Sequence, residues 1–331
     1  MINQRGNATG VNVSGNYGID RFYSEMGNSI SGNWSIGQST DVPVGSGVEN
    51  SLEYGCTTTS SNADRYLMTI YRMEGYDSQV FNYGTPYAKD VTLSFWIKCS
   101  KAGNFQVNFE NEDNPDQGYQ TKQTIHKSGT WEKKVVTIPG DTTKGFPSTS
   151  AKAMCFDIMY SAFGSQRTGA TPTAEWSALS NTQRGTHCDM DLFDSLSNYV
   201  KIAGVQLELG KNATEFEHRS YGEELALCQR YYFKLSNSRL IMGYKRHDTS
   251  ANFAVECPVP MRASPTPTLT AGGTFTNFQS NFNTTQSSPN VYEWNSVSGN
   301  RFLFQVASTW SSTHSFVPSW EGFTAEFSAE I

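Results

Sequence analysis

No run of apolar residues approaches the ~20 that a helix needs to cross a bilayer, which excludes a helical membrane span. Charge is scarce, at 17% of 331 residues, and the positive sign is the scarcer one. There are 25 Lys and Arg against 31 Asp and Glu, a formal net charge of -6. Nucleic-acid binders draw most of their affinity from basic side chains on phosphates. The densest basic stretch, Lys245-Arg246-His247, is too short for that and reads as a solvated turn. No nucleic-acid partner is expected. The opening Met1-Ile2-Asn3-Gln4-Arg5-Gly6 lacks the apolar segment of a secretory signal, so folding in a cytoplasm is expected. Cys56, Cys99, Cys155, Cys188, Cys228 and Cys257 are scattered singly, with no CxxC. They read as reduced, small, buried apolar residues, with a disulfide pair left open.

Catalytic signatures are missing as well. His126, His187, His218, His247 and His314 lie far apart, and His187-Cys188-Asp189 has no second ligand at metal-binding spacing. There is no GxSxG, P-loop or GxGxxG. No enzyme activity, catalytic residue or metal-ligand set is expected. Acidic runs do occur, at Glu110-Asn111-Glu112-Asp113-Asn114-Pro115-Asp116 and at Asp189, Asp191 and Asp194. Their Asn, Pro and Gly neighbours favour solvated turns. A structural Ca²⁺ held by loop oxygens and a hydrolytic carboxylate pair are the competing readings. No other cofactor is expected.

Aromatic residues and turn formers are abundant instead. Aromatics reach 13%, and 28 Gly accompany many Ser, Thr and Asn, the composition of short strands joined by turns. In Val91-Thr92-Leu93-Ser94-Phe95-Trp96-Ile97-Lys98 the odd positions are apolar, the period of a half-buried strand. Phe105–Glu110 alternates again after a turn, so the two read as a hairpin or as neighbouring strands. Further strands are expected at 119–126, 132–138, 154–160 and 200–209. In the last, apolar residues switch from even to odd positions around Ala203-Gly204, which predicts a β-bulge near Gly204. One helix signal stands out: Ser220-Tyr221-Gly222-Glu223 is a capping box, followed by Leu225, Cys228 and Tyr232 at helical spacing. Beyond it, Pro258, Pro260, Pro265 and Pro267 mark an edge or connector, and strand patterning resumes at 301–307 and 323–331. The fold class expected is all-β, with two β-sandwich domains joined through one short helix. Residues 1–61 read as an arm with first strands, suited to docking or oligomerisation. Residues 62–219 read as the first sandwich and residues 220–331 as the second.

Trp96 breaks the polar series of its strand, opposite the Leu93/Phe95/Ile97 face. It is either a platform for the apolar face of a sugar or a residue packed under a loop, strand or second subunit. Trp34, Trp131 and Trp176 carry the same ambiguity, with Trp131 expected to plug the sandwich edge. Near the C-terminus, Tyr292, Trp294, Trp310 and Trp320 sit among Ser, Thr and Asn. That mixture suits either a recognition surface or a subunit interface.

The run from Ile202 to Gly210 with ATEFEHRSYGEELALCQRYY at 213–232 resembles a segment of bacteriophage tail-fibre and related virion proteins. The Asn3-Gln4-Arg5-Gly6 and Tyr17–Phe22 stretches resemble the QRG…DRF start of the same family. Pro258–Thr266 resembles its pMRasPT element, and the three occur in the family's order. The resemblance implies a jelly roll like a carbohydrate-binding module at 62–219, then a C-terminal β domain. It implies a virion protein, commonly a homo-oligomer such as a trimer, whose partners are other virion proteins and, in many members, host-surface polysaccharide. It implies no catalytic residue. Longer members carry an attachment region before the QRG element, whereas this sequence begins almost at it. The readings it leaves are a tail appendage that binds host glycan, and a capsid decoration, head fibre or tail adaptor with a structural role. A secreted glycan-degrading enzyme is a third reading from another class.

Overall fold

The computed structural model describes the backbone of the chain except residues 28–29, 114–116, 237–240, 248–249, 272, 278–281, 287–290, 299–300, 308–317 and 322–323. Side chains are also left aside at 242, 245–251, 266–267, 269–271 and throughout 272–323. The described chain is nearly all β and divides into two units, residues 1–219 and 220–330.

The first unit holds twelve strands: β1 Ala8–Val11, β2 Asn16–Ile19, β3 Phe22–Met26, β4 Asn33–Ser39, β5 Ser51–Thr58, β6 Tyr66–Glu74, β7 Val91–Cys99, β8 Gly103–Asn111, β9 Gly118–Ile125, β10 Glu132–Ile138, β11 Lys152–Ala162 and β12 Tyr199–Leu209. A four-residue helix, α1 (Gly75–Ser78), follows β6. They form two six-stranded antiparallel sheets, in the orders β1-β4-β5-β12-β7-β10 and β2-β3-β6-β11-β8-β9. Residues 1–61 therefore supply five strands to both layers of the sandwich instead of standing off as an arm. Their small and polar residues hide an alternation that shows only once Ile19, Met26, Trp34, Ile36, Leu52 and Tyr54 are seen buried between the sheets.

Alternation explains the core. Val91, Leu93, Phe95 and Ile97 point inward from one sheet and Phe105, Val107 and Phe109 from the other, all fully buried. Phe95 and Phe105 meet edge to face with ring centroids 6.3 Å apart. The hairpin reading of β7 and β8 is corrected here. They belong to opposite sheets, β7 between β12 and β10 and β8 between β11 and β9. Each strand has a strongly apolar face, and joining them across the core lets both faces bury at once. The bulge in β12 is present: Ala203 pairs with Trp96 and Gln206 with Ser94, leaving two residues opposite one, and Gly204 adopts φ +56°.

The QRG…DRF residues close the N-terminal loop on the sheet. Gln4 Nε2 donates to Asp20 Oδ2 at 2.7 Å and Arg5 Nη1 pairs with Asp20 Oδ1 at 3.2 Å. Asp20 is 4% exposed. The Arg5 guanidinium lies over the Tyr17 ring, 4.5 Å from its centroid.

The second unit opens on α2 (Tyr221–Gln229), whose Ser220 cap and Glu223 form both capping-box hydrogen bonds. Its strands are β13 Tyr232–Leu235, β14 Ile241–His247, β15 Ser250–Glu256, β16 Thr266–Ala271, β17 Gly273–Asn277, β18 Phe282–Gln286, β19 Val291–Ser298, β20 Arg301–Ala307, β21 Pro318–Glu321 and β22 Thr324–Ser328. They make a three-stranded sheet, β13-β22-β16, and a seven-stranded sheet, β18-β17-β21-β14-β15-β20-β19. Arg262, from the pMRasPT stretch, donates its backbone N–H to Arg230 O and its Nη1 to Ala329 O, both at 2.9 Å. The element thereby ties the end of α2 to the last strand. All six cysteines are buried and none forms a disulfide.

Candidate functional site

The outer face of the β2-β3-β6-β11-β8-β9 sheet carries a second set of alternating residues. Tyr23 and Glu25 on β3 stand opposite Ile70 and Met68 on β6. Asp157 on β11 lies between Ile70 and Asn108 of β8, and Cys155 lies between Arg72 and Glu110. A face carrying this many polar groups must be watered or covered, and here a connecting segment covers part of it. Gln183 O accepts from Gln106 Nε2 at 2.9 Å and Gln120 Nε2 at 3.1 Å. Arg184 O accepts from Asn108 Nδ2 at 3.0 Å. Cys188 Sγ donates to Met159 O at 3.2 Å.

Where this strap ends, the face opens into a cavity of about 220 Å³, lined by Glu25, Met68, Ile70, Arg72, Glu110, Glu112, Lys152, Cys155, Asn181 and Arg184. Arg184 divides its guanidinium between Asp157 Oδ2 at 2.9 Å and Glu110 Oε2 at 2.5 Å. Arg72 Nε lies 3.0 Å from both oxygens of Glu112, and Lys152 Nζ lies 3.6 Å from the same carboxylate. Met68 and Ile70 form an apolar floor. Tyr23, half-buried two positions from Glu25 on the same face, lies under Arg72, whose guanidinium carbon is 4.9 Å from the ring centroid.

Burial pushes the Asp157 carboxyl up to about 7 against the pull of Arg184 and Asn108. Burial raises Glu25 as well. The Cys155 thiol goes well above its ordinary range, through burial and then the neighbouring Glu112, Glu110 and Asp157. Such surroundings favour the protonated thiol over the thiolate. Glu110, Glu112 and Cys155 bring possible ligand atoms within 4.8 Å of one another. Both carboxylates are already held by guanidinium groups and the sulfur keeps its proton, so the donor set fits an ion-pair network better than a metal ion.

The acidic run at 110–116 is corrected in part. Glu110 is 6% exposed and still on β8, and Glu112 faces the cavity, because the strand continues through Asn111 before the chain turns. Residues 114–116 lie outside the described residues. Asp189, Asp191 and Asp194 do not converge: they bond Asn104, Arg65 and Lys101 respectively.

Trp96 lies on the outer face of the other sheet and is half-buried. A Cβ placed on Gly204 would meet Trp96 at 3.3 Å, Val48 at 3.5 Å and Phe216 at 3.8 Å, so these side chains gather over the bulge. Trp131 Nε1 donates to Asp41 Oδ1 at 3.0 Å. Although burial raises the Asp41 carboxyl, hydrogen bonds from Lys98, Trp131 and Lys201 pull it down to about 2. Trp34 is fully buried, and Trp176 Nε1 bonds Pro139 O at 2.6 Å. In the second unit, Tyr292 and Trp294 are on β19 and Trp320 is on β21, with β14, β15 and β20 between those strands. Trp310 lies outside the described residues. None of the sequence-expected aromatic residues is among those lining the cavity, whereas Glu110 and Glu112 of the acidic run are. Of the other lining residues, Glu25 had a sequence signal, since Tyr23 and Glu25 alternate with Phe22, Ser24 and Met26. Arg184 had none.

No family model matches the chain, and no curated protein matches it. Among solved structures, it is similar to the enzymatically active domain of bacteriophage CBA120 tailspike protein 4, at 10% identity and TM-score 0.32 over 57% of this chain. The chain spans 19% of that domain's length. It is also similar to a family 11 carbohydrate-binding module from Clostridium thermocellum in complex with a β-1,3-1,4-mixed-linked tetrasaccharide, at 14% identity, TM-score 0.28, 63% of this chain and 98% of that one. A third is the CBM22-1-CBM22-2 tandem domain of Paenibacillus barcinonensis Xyn10C, at 8% identity, TM-score 0.31, 99% of this chain and 93% of that one.

Proposed function

We propose that this chain is a bacteriophage virion protein, a homo-oligomeric tail appendage that attaches to host-surface glycan through the cavity beside β3, β6 and β11. The observation that carries the reading is the cavity's make-up. Fixed planar polar groups, Arg72, Arg184 and Glu110, stand beside an apolar floor of Met68 and Ile70 and an aromatic neighbour, Tyr23. A pyranose needs that combination, because its ring face is apolar and its hydroxyls demand oriented partners. The three family-like sequence elements support the virion assignment. Two of them make structural bonds here, Arg5 to Asp20 and Arg262 to Ala329. The role is binding without turnover: Glu110 and Glu112 are spoken for by Arg184 and Arg72.

The test is competition. Purified full-length protein added to host cells should block phage adsorption, and oxidising the cell-surface sugars with periodate should remove its binding. Absence of both effects overturns the reading in favour of a structural decoration or adaptor. Release of reducing sugar from host polysaccharide would overturn the non-catalytic part.

A further inference from the structure

We propose that the cavity selects a glycan bearing a free ammonium group, an amino sugar that is not N-acylated, and that Glu25 receives the ammonium. This rests on the glycan-binding reading above and adds the charge class of the ligand.

The cavity and its immediate support contain three cations, Arg72, Lys152 and Arg184, and each already meets a carboxylate of the protein. An anionic sugar would compete with Glu110, Glu112 and Asp157, all largely buried, for those cations, and a buried carboxylate that loses its partner is costly. The site therefore favours a cationic sugar over a uronate or a phosphate. Glu110, Glu112 and Asp157 each meet at least one of those cations within 4 Å, and Glu25 is the fourth carboxyl of the group. Glu25 forms no ion pair within 4 Å among the described residues, and the through-space pull of Arg184 and Arg72 on it is smaller than the effect of burial. Its hydrogen bond is a long one, from the Tyr66 hydroxyl at 3.5 Å. Burial strips Glu25 of water and raises its pKa, so a cation brought by the ligand would restore what solvent does not supply.

Geometry agrees with charge. Glu25 and Tyr23 project from the same face of β3, with Met68 and Ile70 opposite them on β6. A sugar ring lying on that apolar strip would hold a ring nitrogen substituent toward Glu25. An acetamido group there would place an uncharged, bulkier substituent against the carboxylate, without the charge-assisted bond an ammonium makes.

The experiment is titration calorimetry of the full-length protein with three oligosaccharides of equal length: a glucosamine tetramer with free amines, its fully N-acetylated form, and a galacturonate tetramer. It is run at a pH where the amines are protonated. The free-amine tetramer should bind at least about tenfold tighter than either other oligomer, a difference of about 1.4 kcal/mol. Glu25→Gln should erase that preference while the melting temperature holds. Equal or tighter binding of the N-acetylated or acidic tetramer, or a preference that survives Glu25→Gln, overturns the proposal. So does failure of all three to bind. Binding to host cells in that last case would leave the glycan reading standing with the charge class wrong. Loss of cell binding too would remove both.

Discussion

Tyr54 of β5 and Thr69 of β6 share a hydrogen bond of 2.7 Å across the middle of the first sandwich, one residue from each sheet. Ser24 reaches the Tyr54 hydroxyl at 2.8 Å, and the Tyr160 hydroxyl reaches Thr69 Oγ1 at 2.8 Å. All four are buried, and burial pushes the Tyr54 phenol up to about 12. A polar cluster in an apolar layer stabilises only while complete. Tyr54→Phe leaves Ser24 and Thr69 short of a partner and should cost about 1–3 kcal/mol. Urea unfolding should show a lower midpoint at unchanged slope, and an unchanged midpoint would mean water replaces the phenol.

The buried pair of Asp157 and Arg184 makes stability depend on pH. The Asp157 carboxyl holds its proton up to about 7 in the folded chain, against an ordinary value of about 3.9 when unfolded. The folded state thus binds the proton more tightly. The resulting stabilisation is complete below the unfolded value and is lost as pH rises through the folded one. Wild-type melting temperature, compared with Asp157→Asn, should fall on going from acidic to mildly alkaline buffer. A difference that grows in the wild type's favour with rising pH would mean that Arg184 outweighs burial.

Gly204 holds the bulge of β12 at φ +56°. A side chain there enters the left-handed region, at about 1–2 kcal/mol, and its Cβ would sit 3.3 Å from the Trp96 ring. Gly204→Ala should lower thermal stability by that order and alter Trp96 fluorescence. An unchanged melting curve would show that the bulge can shift along the strand.

That bulge was legible beforehand because a one-residue phase change leaves a direct trace in side-chain alternation. The capping box of Ser220 and Glu223 was legible for a similar reason, both partners lying within one turn. Partner choice between strands was not. β7 and β8 are close in sequence, yet their partners, β12 and β11, come much later in the chain, and no local pattern encodes a pairing of that range. The cavity was hidden for the same cause. Arg184 lies in an unpatterned segment and gains its meaning from Asp157 and Glu110, which alternation alone presents as ordinary strand and turn residues. Tryptophans are rare and large, whereas the cavity is built largely from Glu, Arg and Met, residue types that carry no distinctive local pattern.

The most direct test concerns the mouth of the cavity. Asn181 is exposed at its rim and bonds Arg184 Nε at 2.9 Å, so Asn181→Trp would fill the opening from outside the core. Binding of labelled full-length protein to host cells, measured for wild type and this variant at equal melting temperature, decides the matter. The account predicts that the wild type binds and the variant does not. Equal binding by both would place host contact elsewhere and contradict it.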